Sequence, residues 1–466
     1  MIRRPVRRAA EACLVVACLG TWVTAARAQQ HSRFEDGART ITLDNGLEVI
    51  VVEDHVIPLA TVLVAVRNGA FTQEPSAEGI AHLYEHMLFR TYDNDARAFW
   101  RAVGELGGAA NGGTEAEVVY YYIQVPSERA KAAVEVLAHL VRDPRFTDAD
   151  LTAERPIVLN ELQRGQSDPE GALARSVDRA LWGPSWSRKD VGGDSTSLAG
   201  ITVARLRDTW NRYYLPNNAA VIITGDINPA EILHEAAKQF GSWRQGPNPF
   251  NTGEGVTIDP LRSRRAVVMG GAVRDVTILL EWQGPSVRSD APATYAADAL
   301  FAIFNAPTSP FQHRLVDSGL FRSVNGSYLT LDHVGPIVIR GKTTPERAEE
   351  ALMTLLDEVD KLDALDGVTE DDLLLAKKSR AVGDALLFEH GASLAPLVAS
   401  WWASAGMEYY AGYHEQLNRE TLPDLARFAR TYVAGKPLVI GMLAAPDVAG
   451  QLGDWLRSGA SKSAAR

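Results

Sequence analysis

Hydrophobic and polar positions alternate along much of the N-terminal part of the chain. TITLDNGLEVIVVEDH (residues 40–55) alternates on both sides of an Asn-Gly pair, which predicts a β-hairpin. LATVLVAVRNGA (59–70) and VVYYYIQVP (118–126) are rich in β-branched and aromatic residues and predict strands. ERAKAAVEVLAHLVRD (128–143) has the apolar spacing of an amphipathic helix. This mixture predicts an α+β fold with a largely antiparallel sheet.

Two pairs of similar segments indicate an internal duplication. PSERA (126–130) resembles TPERA (344–348), and FTDADLTAER (146–155) resembles VTEDDLLLAK (368–377). The two matches occur in the same order and are displaced by 218 and 222 residues. Two matches with nearly the same displacement favour two copies of one domain.

A segment rich in Gly, Pro and Asn, RQGPNPFNTGEGVTIDP, lies between the two copies and is the predicted linker. Thr147 and Thr369, each followed three residues later by Asp, are predicted to cap equivalent helices. We expect two homologous domains, each a mainly antiparallel sheet packed with helices. The predicted organisation is a signal peptide (1–28), a first domain (34–243), a linker (244–260) and a second domain (261–458).

The N-terminus predicts an export signal. A basic start and a short apolar run are followed by small residues ending at Ala28, after which cleavage is expected. A lipoprotein cleavage box ending at Cys18 is the alternative. Cys13 and Cys18 are the two cysteines of the chain, and cleavage after Ala28 would remove both, so we expect a mature protein without a disulfide or thiol chemistry. These features predict a periplasmic protein without a transmembrane span, because the apolar run is too short.

Length and charge limit the number of domains and the class of partner. A chain of 466 residues is too long for one hydrophobic core, which favours two or three domains. The net charge of -11 argues against a nucleic-acid partner, because phosphate binding needs clustered Lys and Arg.

The sequence HLYEH, His82 to His86, carries candidate metal chemistry. On a helix, His82 and His86 lie one turn apart on the same face, and Glu85 is next to both. Zinc bound by three protein ligands leaves one position for water, and a nearby carboxylate can take a proton from that water. The alternative interpretation is an ordinary pair of histidines on a helix surface.

A third ligand is sought in TAERPIVLNELQRG, where Glu154 and Glu161 are seven residues apart and share a helical face. A solvated charged stripe is the alternative. Pro156, between them, predicts a kink or a new helix start.

The duplication supplies an internal control for these polar residues. At displacements of 218 and 222, none of the five candidates has a ligand-type counterpart in the second copy. The corresponding residues are Leu300, Ile303, Phe304, Ala376 and Gly383. The fold therefore does not require polar residues at these five positions.

The stretch EGIAHLYEHMLFR, together with Glu161 in AERPIVLNEL, resembles the pitrilysin family of zinc metallopeptidases; 74 residues lie between His86 and Glu161. That family includes the mitochondrial processing peptidases and insulin-degrading enzyme. The resemblance implies one Zn²⁺ per chain, held by His82, His86 and Glu161. It also implies that Glu85 is the general base and that Glu154 orients a ligand histidine. The family fold is two homologous α+β domains that enclose a chamber.

The segment ELGGAANGGTEAEVVYYYIQVP (105–126) resembles the family's edge strand that pairs with the substrate backbone. The resemblance implies that Asn111 and Gly112 bind substrate, although the family usually has Ala at the second position. A Gly-rich turn before a strand is the alternative.

Family members that act alone carry an Arg and a Tyr, seven residues apart, in the second domain. Here one alignment places Leu315 and Arg322 at these positions, and the other places Arg314 and Phe321 there. Neither alignment restores the pair. We expect a homodimer, or a heterodimer with a sister subunit that carries the Arg/Tyr pair. Arg314 or Arg322 acting alone is the alternative.

The resemblance and the residues together predict an exported zinc endopeptidase that hydrolyses peptides or unfolded segments. A non-catalytic structural or chaperone-like subunit of the same fold is the alternative. A zinc-dependent protein that binds peptides without cutting them is a third hypothesis, against which Glu85 argues.

Overall fold

The computed structural model describes residues 38–250, 257–388 and 391–458. The predicted signal peptide, with the Ala28 cleavage site and the Cys18 alternative, lies outside these residues. None of the helices described is both long and apolar enough to cross a membrane.

The described strands form two sheets. The first sheet contains β1 (Ala38–Thr42), β2 (Glu48–Glu53), β3 (Leu59–Val66), β4 (Ala109–Thr114), β5 (Val119–Pro126) and β6 (Ala219–Gly225). The second contains β7 (Arg265–Gly270), β8 (Val276–Gln283), β9 (Ser323–Tyr328), β10 (Pro336–Thr343) and β11 (Val439–Ala444).

Apart from β1, which has no counterpart among the described strands of the second sheet, the two sheets have the same topology. The strand order is β1-β2-β6-β3-β5-β4 in the first and β7-β11-β8-β10-β9 in the second. Only β2–β6 and β7–β11 are parallel among the described strand pairs, so both sheets are mainly antiparallel, as predicted. The first two strands form the predicted hairpin, with Thr40 opposite Ile50. β4 ends the first sheet, so one of its edges has no strand partner in the described part of the chain.

Helices follow the strands in the same order in both copies. In the N-terminal half, from β1 onward, they are α1 (Ile80–Phe89), α2 (Ala98–Glu105), α3 (Ala130–Arg142), α4 (Asp148–Ser167), α5 (Pro169–Trp182), α6 (Ser195–Gly200), α7 (Val203–Tyr213) and α8 (Pro229–Phe240). In the C-terminal half, from β7 onward, they are α9 (Val287–Asn305), α10 (Pro310–Gln312), α11 (Ala348–Asp360), α12 (Glu370–Phe388), α13 (Gly391–Ser404), α14 (Met407–Ala411), α15 (Tyr413–Arg419), α16 (Leu422–Tyr432) and α17 (Pro446–Arg457). The predicted linker begins after α8, and its bounds stay a prediction.

Each half covers one face of its sheet with its own helices and the other face with a helix of the other half. α5 packs on β8 and β11, where Leu173, Val177 and Leu181 join a buried cluster with Leu279 and Val439. α13 packs on β3 and β6, where Leu394, Val398 and Trp402 contact residues such as Leu63 and Ile222. Both helices bury an apolar face that their own half does not cover. The halves are therefore joined by a reciprocal exchange of helices.

The two predicted caps lie at the starts of α4 and α12, the helices that precede α5 and α13. The hydroxyl of Thr147 accepts a hydrogen bond from the Asp150 backbone N–H at 3.1 Å, and Thr369 does the same for Asp372 at 3.3 Å. Such caps satisfy backbone donors that have no partner inside the helix. Pro156 does not end α4, which runs from Asp148 to Ser167. Glu154 and Glu161 therefore lie on one helix.

A buried carboxylate also links the halves. Glu117, in the turn between β4 and β5, is only 4% exposed. It accepts hydrogen bonds from the backbone N–H groups of Asp332 at 2.8 Å and His333 at 2.9 Å. The His333 ring nitrogen Nδ1 lies 2.7 Å from the same carboxylate. This contact fixes the β4–β5 turn against the loop between β9 and β10.

Candidate metal centre

Helix α1 presents its polar residues on the side away from the hydrophobic core. Leu83, Tyr84, Met87 and Leu88 are fully buried and anchor the opposite side of the helix. The helix starts after Gly79, whose positive φ of 84° suits a residue without a side chain. The apolar positions thereby fix the direction in which the motif histidines point.

Glu161 of α4 completes a cluster with the two histidines of α1. Oε2 of Glu161 lies 3.4 Å from Nε2 of His86 and 3.8 Å from Nε2 of His82. One ligand atom from each of the three residues lies within 4.8 Å of the others. Zinc ligands at about 2.1 Å in tetrahedral geometry are about 3.4 Å apart, so these separations suit one ion. The donor set of two imidazoles and one carboxylate is also one that zinc prefers.

Glu154, the other candidate glutamate of α4, contacts the cluster through His86. Oε1 of Glu154 lies 3.0 Å from Nδ1 of His86, which leaves Nε2 of that ring directed at Glu161. Arg90, four residues after His86, donates to Glu154 at 2.9 Å and to Asp150 at 3.2 Å. Burial disfavours the charge on Glu154, but the bonds to His86 and Arg90 outweigh it, so its pKa is lowered. A carboxylate held in this way fixes the ring orientation of a ligand histidine.

The two histidines have different electrostatic environments. Burial and the neighbouring His86 lower the pKa of His82, which favours its neutral form. Its Nδ1 is buried and has no hydrogen-bond partner among the described residues. Burial also opposes the charge on His86, but the hydrogen bond to Glu154 and the charge of Glu161 raise its pKa. Both rings offer Nε2 to the same point.

Glu85 lies beside the cluster and against strand β4. The residue is 8% exposed, and its carboxylate accepts a hydrogen bond from the Thr114 hydroxyl at 2.7 Å. Burial raises the pKa of Glu85, while the Thr114 bond and His86 act in the opposite direction. A carboxylate with a raised pKa is better matched to accepting and returning a proton near neutral pH. The geometry and the electrostatics suit a general base.

The predicted substrate strand is β4, and its open edge is available for pairing. Asn111 lies in the strand opposite Tyr122, and its side chain accepts a hydrogen bond from the Gly112 N–H at 3.0 Å. Gly112 faces Glu85, because a Cβ placed on it would be 3.0 Å from Oε1 of that residue. The edge strand and the candidate base are therefore adjacent.

The structure does not bring the predicted second-domain residues into this cluster. Arg314 forms a two-bond ion pair with Glu358 at 2.7 and 2.8 Å, and Arg322 pairs with Asp275 at 3.1 Å. These contacts all lie in the C-terminal half. The other residues of the two alignments, Leu315 and Phe321, are core residues that are 0% and 3% exposed.

Two residues of the site were not identified from the sequence. Arg90 could have been found, because it follows His86 by one helical turn and therefore shares its face. Thr114 gave no such signal, because its contact with Glu85 depends on how β4 packs against α1.

The comparisons with known proteins identify the family of the chain. Residues 48–188 match the family described as Insulinase (Peptidase family M16). Residues 200–380 match the Peptidase M16 inactive domain. The first match contains the cluster and the second contains Arg314 and Arg322.

An uncharacterized zinc protease of Mycobacterium tuberculosis is 27% identical over 362 residues, which are 76% of this chain and 81% of that protein. A protease from Helicobacter pylori has the same fold, with a TM-score of 0.76 at 21% identity over 87% of this chain and 99% of that one. The periplasmic protease PqqL from Escherichia coli has a TM-score of 0.72 at 18% identity, over 89% of this chain but 48% of that one. The chain belongs to the M16, or pitrilysin, family of peptidases.

Proposed function

We propose that this chain is a zinc-dependent endopeptidase that hydrolyses peptides or unfolded segments. The observation that carries the proposal is the convergence of His82, His86 and Glu161 on one point. Glu85 lies next to this point and next to the open edge of β4. The relatives named zinc proteases support zinc as the metal. We propose one ion per chain, at the single cluster of this kind among the described residues.

Zinc at this position would polarise the substrate carbonyl and make water a stronger nucleophile. Glu85 takes the proton from the attacking water and passes it to the leaving amine. His86 is held for its task by Glu154, whose other oxygen is held by Arg90. Asp150 fixes Arg90 in turn.

Substrate specificity would come mainly from the backbone of β4. An extended peptide can add to an open sheet edge through main-chain hydrogen bonds, which makes the choice of sequence loose. Asn111 and Gly112 would contact the substrate near the scissile bond. The pairing requires an extended segment, so folded proteins are poor substrates.

A partner subunit would supply the missing oxyanion donors. Arg314 and Arg322 are engaged in ion pairs, and the positions that would complete either pair are apolar and buried. We propose a heterodimer with a sister chain carrying the Arg/Tyr pair, or a homodimer in which Arg314 or Arg322 acts alone. The export signal read from the sequence and the periplasmic neighbour support a periplasmic location. The division into domains at 34–243 and 261–458 is part of the same proposal.

The test is cleavage of an unstructured peptide library by the purified chain without its predicted signal peptide (residues 29–466). We expect zinc-dependent cleavage that is lost in Glu85→Gln while zinc remains bound. Glu349→Gln, the same change at an exposed helix position of the other half, is the control and should have no effect. Equal cleavage by Glu85→Gln, or a chain that binds no zinc, would overturn the proposal. Zinc binding without cleavage would direct the assay to the chain combined with its partner.

A further inference from the structure

Strand β4 presents two different faces at its glycine pair. A Cβ on Gly112 would lie 3.0 Å from both Cγ and Oε1 of Glu85. A Cβ on Gly113 would lie 2.5 Å from the hydroxyl of Tyr120, its register partner on β5. Successive residues of a strand point to opposite faces, so Gly112 and Thr114 both face the metal cluster.

The carboxylate of Glu85 occupies the space that Gly112 leaves empty. The Thr114 hydroxyl donates to Oε2 at 2.7 Å, while Oε1 lies on the Gly112 side. Contacts of 3.0 Å from a Cβ are tighter than nearly all real ones, so an alanine at 112 would press the carboxylate away from the strand. The hydrogen bond from Thr114 and the absence of a side chain at Gly112 therefore both determine where the Glu85 carboxylate lies.

We propose that Thr114 is a positioning residue that holds Glu85 against the edge strand, in the space left by Gly112. The inference rests on the proposed peptidase function. With Oε2 held by Thr114, Oε1 is the oxygen left to receive and return the proton. Because β4 also pairs with the substrate, one strand then fixes both the scissile bond and the base. The distance between them no longer depends on the free rotation of a glutamate side chain.

The kinetic test compares Thr114→Val and Thr114→Ser in the purified chain, or in its complex with the partner if cleavage needs one. Thr114→Val should lower kcat about 10- to 100-fold, because a misplacement of about 1 Å has an effect of this size. We expect KM to change less than about threefold, because the substrate pairs with the β4 backbone. Thr114→Ser keeps the hydroxyl and should recover most of kcat.

The matched control is Thr343→Val, which removes a buried strand hydroxyl bonded to the Leu320 carbonyl at 2.7 Å in the other half. It should reduce stability and leave kcat unchanged. A kcat in Thr114→Val equal to that of the unsubstituted chain would overturn the positioning role. So would a kcat in Thr114→Ser as low as that in Thr114→Val.

Crystal structures of the zinc-loaded unsubstituted chain and Thr114→Val separate this proposal from the peptidase function. We expect the Glu85 carboxylate to leave the Gly112 side when the hydroxyl is removed. A carboxylate that keeps its place in Thr114→Val would overturn the inference even if the chain cleaves peptides. A chain that cleaves nothing, with its partner or alone, contradicts the proposed function, and the two structures still decide the role of Thr114.

Discussion

The two halves of the molecule share the order of five strands but differ in the residues of the equivalent helices α1 and α9. Where α1 carries His82, Glu85 and His86, the corresponding positions of α9 are Leu300, Ile303 and Phe304, which are at most 1% exposed. The second set packs into the core of its own half. One scaffold therefore supports either a polar cluster or an apolar core at this place. The polar residues of the N-terminal half are there for a reason other than folding.

The edge strands show the same contrast in more detail. Gly112 and Gly326 are each the fourth residue of the strand at the end of their sheet. A Cβ on Gly112 would meet Glu85, whereas one on Gly326 would meet the ring of Phe301 at 2.4 Å. The glycine makes room for a carboxylate in one half and for an aromatic ring in the other. The two glycines therefore leave space for different neighbouring side chains.

The largest expected effect comes from exchanging residues between the halves. His86→Phe, which installs the residue found at position 304, should abolish zinc binding and peptide cleavage while the chain stays folded. Phe304→His should leave zinc content unchanged but destabilise the chain by about 3 kcal/mol or more, because it buries a polar ring in an apolar core. Metal analysis and denaturant unfolding measure the two effects. Loss of zinc from Phe304→His would contradict the expectation that position 304 takes no part in zinc binding.

A smaller effect is expected from the exchanged helices, and here the halves should behave alike. Leu173 in α5 and Leu394 in α13 are 1% and 2% exposed. Either Leu→Ala substitution should lower the free energy of unfolding by about 2–5 kcal/mol. Because each helix joins both halves, we expect one cooperative transition by fluorescence and by circular dichroism. Two separate transitions in either variant would show that the halves unfold independently.

The smallest effect is expected at the buried carboxylate between the halves. Glu117→Gln keeps the shape but replaces one acceptor oxygen with an amide that cannot accept a bond from Asp332 or His333. The free energy of unfolding should fall by about 1–3 kcal/mol. Glu128→Gln, an exposed position of the same half, should change it by less than about 0.5 kcal/mol. A result equal to this control would mean that the contact does not hold the halves together.

Patterns that are local in the chain predicted most of the scaffold. The hairpin, the two helix caps and the duplication were all visible, because each depends on residues a few positions apart or on a repeated segment. Helical spacing predicted that His82 and His86 share a face and left Glu154 and Glu161 as candidates for a third ligand. The resemblance to the pitrilysin family implied that Glu161 is that ligand. Whether His82, His86 and Glu161 bind zinc stays a prediction.

What the sequence could not show depends on packing between distant segments. The apolar spacing of α5 predicts a buried face but does not say which sheet covers it, so the exchange with α13 was missed. Thr114 lies 29 positions from Glu85, and nothing in either segment alone indicates the hydrogen bond between them. Pro156 was expected to kink the helix or to start a new one; no new helix starts there, because α4 continues through it and keeps both glutamates on one element.

The exchange of α5 and α13 also sets the order in which the chain can become stable during synthesis. α5 is complete at Trp182, but β11, a strand that it covers, ends at Ala444. Translation at about 5–20 residues per second leaves its apolar face uncovered for about 10 to 50 s. One apolar face of the first sheet likewise stays uncovered until α13 has been synthesised. A nascent N-terminal half therefore exposes apolar surface until most of the protein has been made, and the binding of chaperones in this interval should decide how much of it reaches the folded state.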